Sequence, residues 1–242
     1  MNNNIFQTDR CVLVAYQPGA SGHFLMSSLC FHSQFQPQTR GVFLDHSQQR
    51  AFIRQQLDHH IARSDRKSWR DFNMTELEFY GLWGLRYDYN EFNRPFTELP
   101  DSYISQYRQQ MLTQQGGANV QRCIDQNRYF FKELHRLIEL NAHRRCWPNS
   151  QTILLVNSES YVERRYQGVT AAQPKIVTDI AQAQSLVDSS RHWDCEWFLD
   201  WTAFIQGYTA LLATFDLEPE NVTELQAFYQ AYINYWFPDL AS

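Results

Sequence analysis

The chain has 242 residues, enough for one α/β-sized domain whose core needs no disulfide or metal staple. Its 43% hydrophobic and 15% aromatic residues, against 19% charged and a net charge of −5, argue against a disordered chain and leave no basic excess for broad binding to duplex nucleic acid. Five cysteines with no CxxC pair argue against a disulfide framework or a thiolate zinc site, and the amino terminus carries no charged-then-apolar leader, so reduced thiols in a cytoplasmic protein without a membrane span are expected.

Residues 11–16, Cys-Val-Leu-Val-Ala-Tyr, form a short continuous apolar run, as a strand buried on both faces does. Gln17-Pro18-Gly19-Ala20-Ser21-Gly22 is turn-forming, and from about residue 21 Phe24, Leu25, Ser28 and Leu29 recur at helical spacing. A brief strand is expected at 41–44, ending in Asp45-His46, and a helix over 47–63 carrying Phe52, Ile53, Leu57 and Ile61. Residues 64–125 read as an aromatic-rich insertion of short elements, with Gly116-Gly117 marking a turn. The stripe Tyr129, Phe130, Leu134, Leu137, Ile138 and Leu140 predicts a helix over 126–143.

Thr152-Ile153-Leu154-Leu155-Val156 is the clearest strand signal, and Ser158 or a neighbour suits the cap of a helix after it. A long amphipathic helix is expected over 195–215 and another over 221–236, the latter opened by a capping box of Thr223 and Gln226. Strands alternating with helices predict a single α/β domain over 1–242: a mainly parallel sheet flanked by helices, with a helical C-terminal third. The strands at 11–16 and 152–156 should be parallel neighbours.

The segment from Tyr16 to Phe24 is the strongest candidate site. A strand, a glycine-containing turn and a helix start bring several backbone N–H groups to one point, where a phosphate or sulfate fits. A phosphate loop of the ATPase kind ends Gly-Lys-Ser/Thr, whereas Gly22 is followed by His23 and Phe24, which disfavours magnesium-dependent ATP chemistry. A plain strand-to-helix turn that binds nothing is the alternative. His59-His60 beside Asp58 does not make a metal site, because adjacent helical residues face different ways and no third ligand is suitably spaced.

Tyr16-Gln17-Pro18-Gly19-Ala20-Ser21-Gly22-His23-Phe24-Leu25 resembles the donor loop of sulfotransferases, whose fold is of the P-loop kind. Ser21-Gly22 and Leu25 match; Ala20 stands where that family has a basic residue, and His23 and Phe24 where it has hydroxyls. The family's second motif, an apolar strand ending in Arg and a helix bearing Ser, resembles Thr152–Val156 and the segment after it, with Asn157 in place of the Arg and Ser160, Arg164 and Arg165 downstream. The resemblance implies 3′-phosphoadenosine 5′-phosphosulfate as donor, held by Pro18, Gly19, Ala20, Ser21, Gly22, His23, Phe24, Asn157, Ser160, Arg164 and Arg165. Such transfer needs a base near the acceptor hydroxyl, and His23, His46 and Asp45 are the candidates.

The acceptor implied is a small molecule or carbohydrate, for which the aromatic residues of 79–96 offer a pocket. Two other readings stand beside this one: an atypical nucleotide kinase on the same fold, and a non-catalytic descendant that binds or supports.

Overall fold

The computed structural model describes residues 3–16, 20–36, 46–63, 115–134, 140–158 and 180–240, together with 101, 102, 104, 105, 108, 109, 160, 161 and 164. Among the described residues five strands make one sheet: β1 (Cys11–Ala15), β2 (Phe35–Gln36), β3 (Tyr129–Leu134), β4 (Gln151–Val156) and β5 (His192–Asp194). Their order is β2-β3-β1-β4-β5, and every pairing is parallel. β1 is therefore central, with Val14 opposite Glu133 of β3 on one side and Ile153 of β4 on the other. The expected parallel pairing of the strands at 11–16 and 152–156 is present.

Alternation along each strand feeds two cores. Val12, Val14, Phe131, Ile153, Leu155 and Trp193 face one side. There they meet α1 (Gly22–Leu29), α6 (Trp201–Ala213) and α7 (Val222–Trp236). Cys11, Leu13, Ala15, Phe130 and Leu154 face the other, against α3 (Gln115–Asp125), α4 (Leu140–Cys146) and α5 (Ile180–Leu186). A strand covered on both faces must be apolar at successive positions, which is why β1 reads as an unbroken run.

α2 (His46–Arg63) lies near β2 and is tied to it by the buried Gln49, whose amide donates to the carbonyls of Cys30 and Phe35 at 2.7 and 2.9 Å. No helix among the described residues is long and apolar enough to cross a membrane.

Several local expectations need correction. The helix expected over 126–143 is instead β3 followed, from Leu140, by α4. Asn127 takes a left-handed conformation, φ 55°. Around it the Arg128 amide donates to the Cys123 carbonyl and the Asn127 amide to that of Ile124. This closure ends α3 and turns the chain into the sheet, and Phe130 and Phe131 then face opposite cores as a strand allows. Gly116-Gly117 sit in the first turn of α3, where amides need no intrahelical partner, so the framework resumes at Gln115 and not after residue 125.

The helix expected from 195 begins at Trp201, capped by Asp200, after a 3₁₀ turn at Cys195–Leu199. α7 opens at Val222 behind Asn221 in a left-handed conformation, with no side-chain cap, so Thr223 is not the capping residue. The strand expected at 41–44 lies outside the described residues, as do residues 64–100 of the insertion.

Candidate functional site

β1 hands the chain to α1 on one face of the sheet, whereas the helix after its neighbour β3, α4, lies on the other face. Between two such strands their exits part and leave a crevice at the carboxyl edge, where open α/β sheets bind ligands. Three side chains converge there. Glu133, near the end of β3, is buried, and its Oε2 accepts the Tyr16 hydroxyl at 2.8 Å and lies 2.7 Å from His23 Nε2. Tyr16 follows β1 directly, and His23 is the second residue of α1.

The carboxylate is thus held by two donors beside the amino-terminal end of a helix, whose partial positive charge also favours it. A buried carboxylate without such partners costs several kcal/mol, roughly, so this arrangement is a specified one. With Nε2–H donated to Glu133, the ring's basic lone pair is on Nδ1, the tautomer that a carboxylate–imidazole pair enforces.

Gly22 is required by Tyr16. A Cβ at position 22 would stand 2.3 Å from the tyrosine ring. Ser21 before it is left-handed, φ 59° and ψ 31°, a strain of about 1–3 kcal/mol for a residue with a side chain. Its hydroxyl does not cap α1; it bonds the Tyr161 hydroxyl at 2.6 Å and the hydroxyl of Tyr232 on α7. Two residues that flank the sheet at distant points in the chain therefore hold the turn.

The carboxyl ends of β4 and β5 carry a second polar group. Ser158 and Ser160 both donate to Glu196 Oε1, Ser160 at 2.5 Å. Ser158 also accepts the Tyr161 amide at 3.0 Å, capping the helical turn after β4, as its sequence position suggested. Burial raises the Glu196 carboxyl, but the two serine bonds and the charge of Arg164 outweigh it and hold it below its ordinary value.

The residues singled out from the sequence divide. Ser21, Gly22 and His23 stand together at the start of α1. Asn157, Ser160 and Arg164 come after β4, with Asn157 Oδ1 a buried acceptor that has no donor among the described residues. Ala20 is buried, and its carbonyl accepts the Cys195 thiol at 3.5 Å. Phe24 is corrected as a ligand-facing side chain: it is buried and stacked on Tyr232 at 3.7 Å between ring centres and on Phe228 at 5.3 Å. Its side chain belongs to the α1–α7 core because, one residue past His23, it points about 100° further around the helix.

His46 is also corrected. It does not stand at a carboxyl edge: it opens α2, accepts from Arg50 at 2.9 Å, and feels the Phe31 carbonyl beyond α1 and Arg128 just before β3. That is the amino-terminal end of the sheet. Burial and the Arg50 charge lower its pKa. Pro18, Gly19, Asp45 and Arg165 lie outside the described residues.

Sequence reasoning missed Glu133, Tyr161, Tyr232 and Glu196, and gave Tyr16, which opens the candidate segment, no role of its own. The signal for Glu133 was available: Asn127 as a helix-ending residue makes 129–134 a strand, and an acid at its end then faces the crevice. No sequence signal pairs Tyr161 with Tyr232. Among the described residues no group of three or more His, Cys, Asp or Glu side chains is placed to hold a metal ion. No family model, curated protein or solved structure matches the chain.

Proposed function

We propose that this protein is a group transferase that moves a sulfuryl group from an adenosine-based phosphosulfate donor to a hydroxyl acceptor. The observation that carries this reading is the His23–Glu133 pair, 2.7 Å apart, at the mouth of the β1–α1 turn. A base must stand next to an electrophile-binding turn for hydroxyl attack, and here both features share one helix start.

In this reading the acceptor hydroxyl attacks sulfur while its proton passes to His23 Nδ1. The S–O bond to the donor's phosphate breaks, and the electron pair leaves on that phosphate oxygen. Glu133 positions the ring and stabilises the imidazolium; Tyr16 positions Glu133. The amides that open α1 are the donors for the transferred group's oxygens. The resemblance of residues 16–25 to the sulfotransferase donor loop supports sulfuryl over phosphoryl transfer, as does the absence of a Lys-Ser/Thr pair after Gly22.

The test is a thermal-shift and calorimetric series with adenosine 5′-phosphosulfate, 3′-phosphoadenosine 5′-phosphate, ATP and GTP, then a transfer assay on a panel of hydroxyl acceptors. An adenosine nucleotide should raise the melting temperature. His23→Ala should then lower turnover about 10²-fold or more with little change in donor affinity. Stabilisation by none of the four removes the reading.

That outcome would favour a non-catalytic binding role, which one observation supports: the Ser21 hydroxyl is already engaged by Tyr161 and Tyr232.

A further inference from the structure

We propose that Glu196 sets donor specificity: it receives a free 2′,3′-diol of the donor's ribose and excludes a donor phosphorylated on that ribose. This deepens the transferase reading and rests on it.

The geometry is that of two adjacent strand ends. Ser158 lies two residues past β4, Glu196 two residues past β5, and the strands are hydrogen-bonded neighbours. Both parts are locally fixed. Ser158 holds the Tyr161 amide, and Asp194 Oδ1 accepts the Glu196 amide at 2.9 Å. Between them, Glu196 Oε1 takes the protons of both serine hydroxyls.

Hydroxyls and an arginine at a strand end are what an anion needs, and Ser158, Ser160 and Arg164 supply them. The protein's own carboxylate has taken them. A hydroxyl proton given to Glu196 is not available to a phosphate, and the Arg164 charge acts on the same carboxylate. A phosphate brought here meets a like charge. Glu196 is ionised at neutral pH because its serine and arginine partners more than offset its burial.

What remains is acceptor capacity. A carboxylate has about four lone-pair sites; the two serines bond Oε1 and the Tyr161 amide also bonds the carboxylate, which leaves room for a further hydroxyl donor. The complement of such a surface is a neutral group rich in O–H donors. An acidic side chain just beyond a strand end is also how dinucleotide-binding α/β sheets hold ribose hydroxyls. The leaving group of the transfer is then an adenosine 5′-phosphate with its diol free.

Calorimetric titration of the full chain with adenosine 5′-phosphosulfate and with its 3′-phosphorylated form tests this, on wild type and Glu196→Gln. Wild type should prefer the unphosphorylated ribose by about tenfold or more, and Glu196→Gln should cut that preference to about threefold or less by removing the charge. Ser160→Ala, which removes one donor to Glu196 and keeps its charge, should retain the preference; it guards against a Glu196→Gln protein that fails to fold. Equal or tighter binding of the 3′-phosphorylated donor to wild type overturns the proposal and leaves the transferase reading standing. So does an unchanged preference in folded Glu196→Gln. Failure of both nucleotides to bind wild type overturns the transferase reading, and the proposal with it.

Discussion

The ring of Tyr16 occupies the space in which any side chain at position 22 would begin: a Cβ on Gly22 would lie 2.3 Å from ring atoms Cδ1 and Cε1. The ring cannot simply step aside, because its hydroxyl is bonded to the buried Glu133 at 2.8 Å and the tyrosine itself is buried. The glycine of the turn, the aromatic residue after β1 and the acid on β3 are therefore one unit.

Gly22→Ala should accordingly destabilise the protein by about 1–3 kcal/mol, the usual cost of overpacking. In a chain of this length that lowers the melting temperature by roughly 2–4 °C per kcal/mol. Tyr16→Leu in the same chain should give back part of the loss, because the two sites are in contact and their effects are not additive. Strict additivity in calorimetry would show that the close approach is not the cause.

Glu133→Gln keeps the shape of the carboxyl but removes its charge. The loss of two charge-assisted bonds, from Tyr16 and His23, should lower unfolding free energy by about 1.5–3 kcal/mol. Under the transferase reading, turnover should fall more than donor affinity, because Glu133 acts through His23. Urea denaturation and a KM-against-kcat comparison report the two effects separately. An unchanged urea midpoint would mean that the carboxylate is not held as described.

Phe24→Ala should cost about 3–5 kcal/mol, as for other large aromatics removed from a core. The ring stacks on Tyr232 and Phe228 and touches Phe198 and Phe204, so the cavity would open between α1, α6 and α7. A change below about 1 kcal/mol in denaturant unfolding would contradict its burial.

Acid should weaken the junction between the end of α1 and the start of α7. His32 is held below its ordinary 6.5, chiefly by burial, against the opposing pull of Glu220 and with help from the charge of His46. Burial raises Glu220, but the Ser33 amide and hydroxyl and the two histidines hold it lower overall. Both folded-state values lie below the unfolded ones, so on acidification the unfolded chain takes up protons first. Stability is then lost as pH falls, from about 6.5 for His32 and from about 4.5 for Glu220. Arg50 and Arg128, which also face His46, add positive charge there and oppose protonation further. The urea midpoint should drop between about pH 7.5 and 5, and His32→Asn should flatten that drop. A midpoint that does not move across this range would rule out the linkage.

The five cysteines are buried in the fold. Burial pushes Cys123 up to about 12 and Cys146 up to about 11, and raises Cys11, Cys30 and Cys195 as well. The thiolate is the reactive form, so a thiol reagent at mildly alkaline pH should label the native protein slowly and all five sites once it is unfolded. Rapid stoichiometric labelling of the folded chain would contradict this.

Elements with a local signal are legible in composition and spacing alone. β1 and β4 are apolar on consecutive residues because both of their faces are covered, and α7 carries its buried stripe along one side. Strands alternating with helices implied the parallel sheet, and the run from Tyr16 to His23 marked the segment that meets Glu133. The rest depends on pairing between distant residues. β3 has the composition of a buried helix face, and it is a strand because β1 and β2 flank it. Glu133 meets His23 across 110 residues and Ser21 meets Tyr232 across 211, and no periodicity encodes either contact. Glu196 reaches Ser158 only because β5 pairs with β4. Local propensity acts over a few residues, whereas the sheet register that joins these groups is set by burial of the whole core.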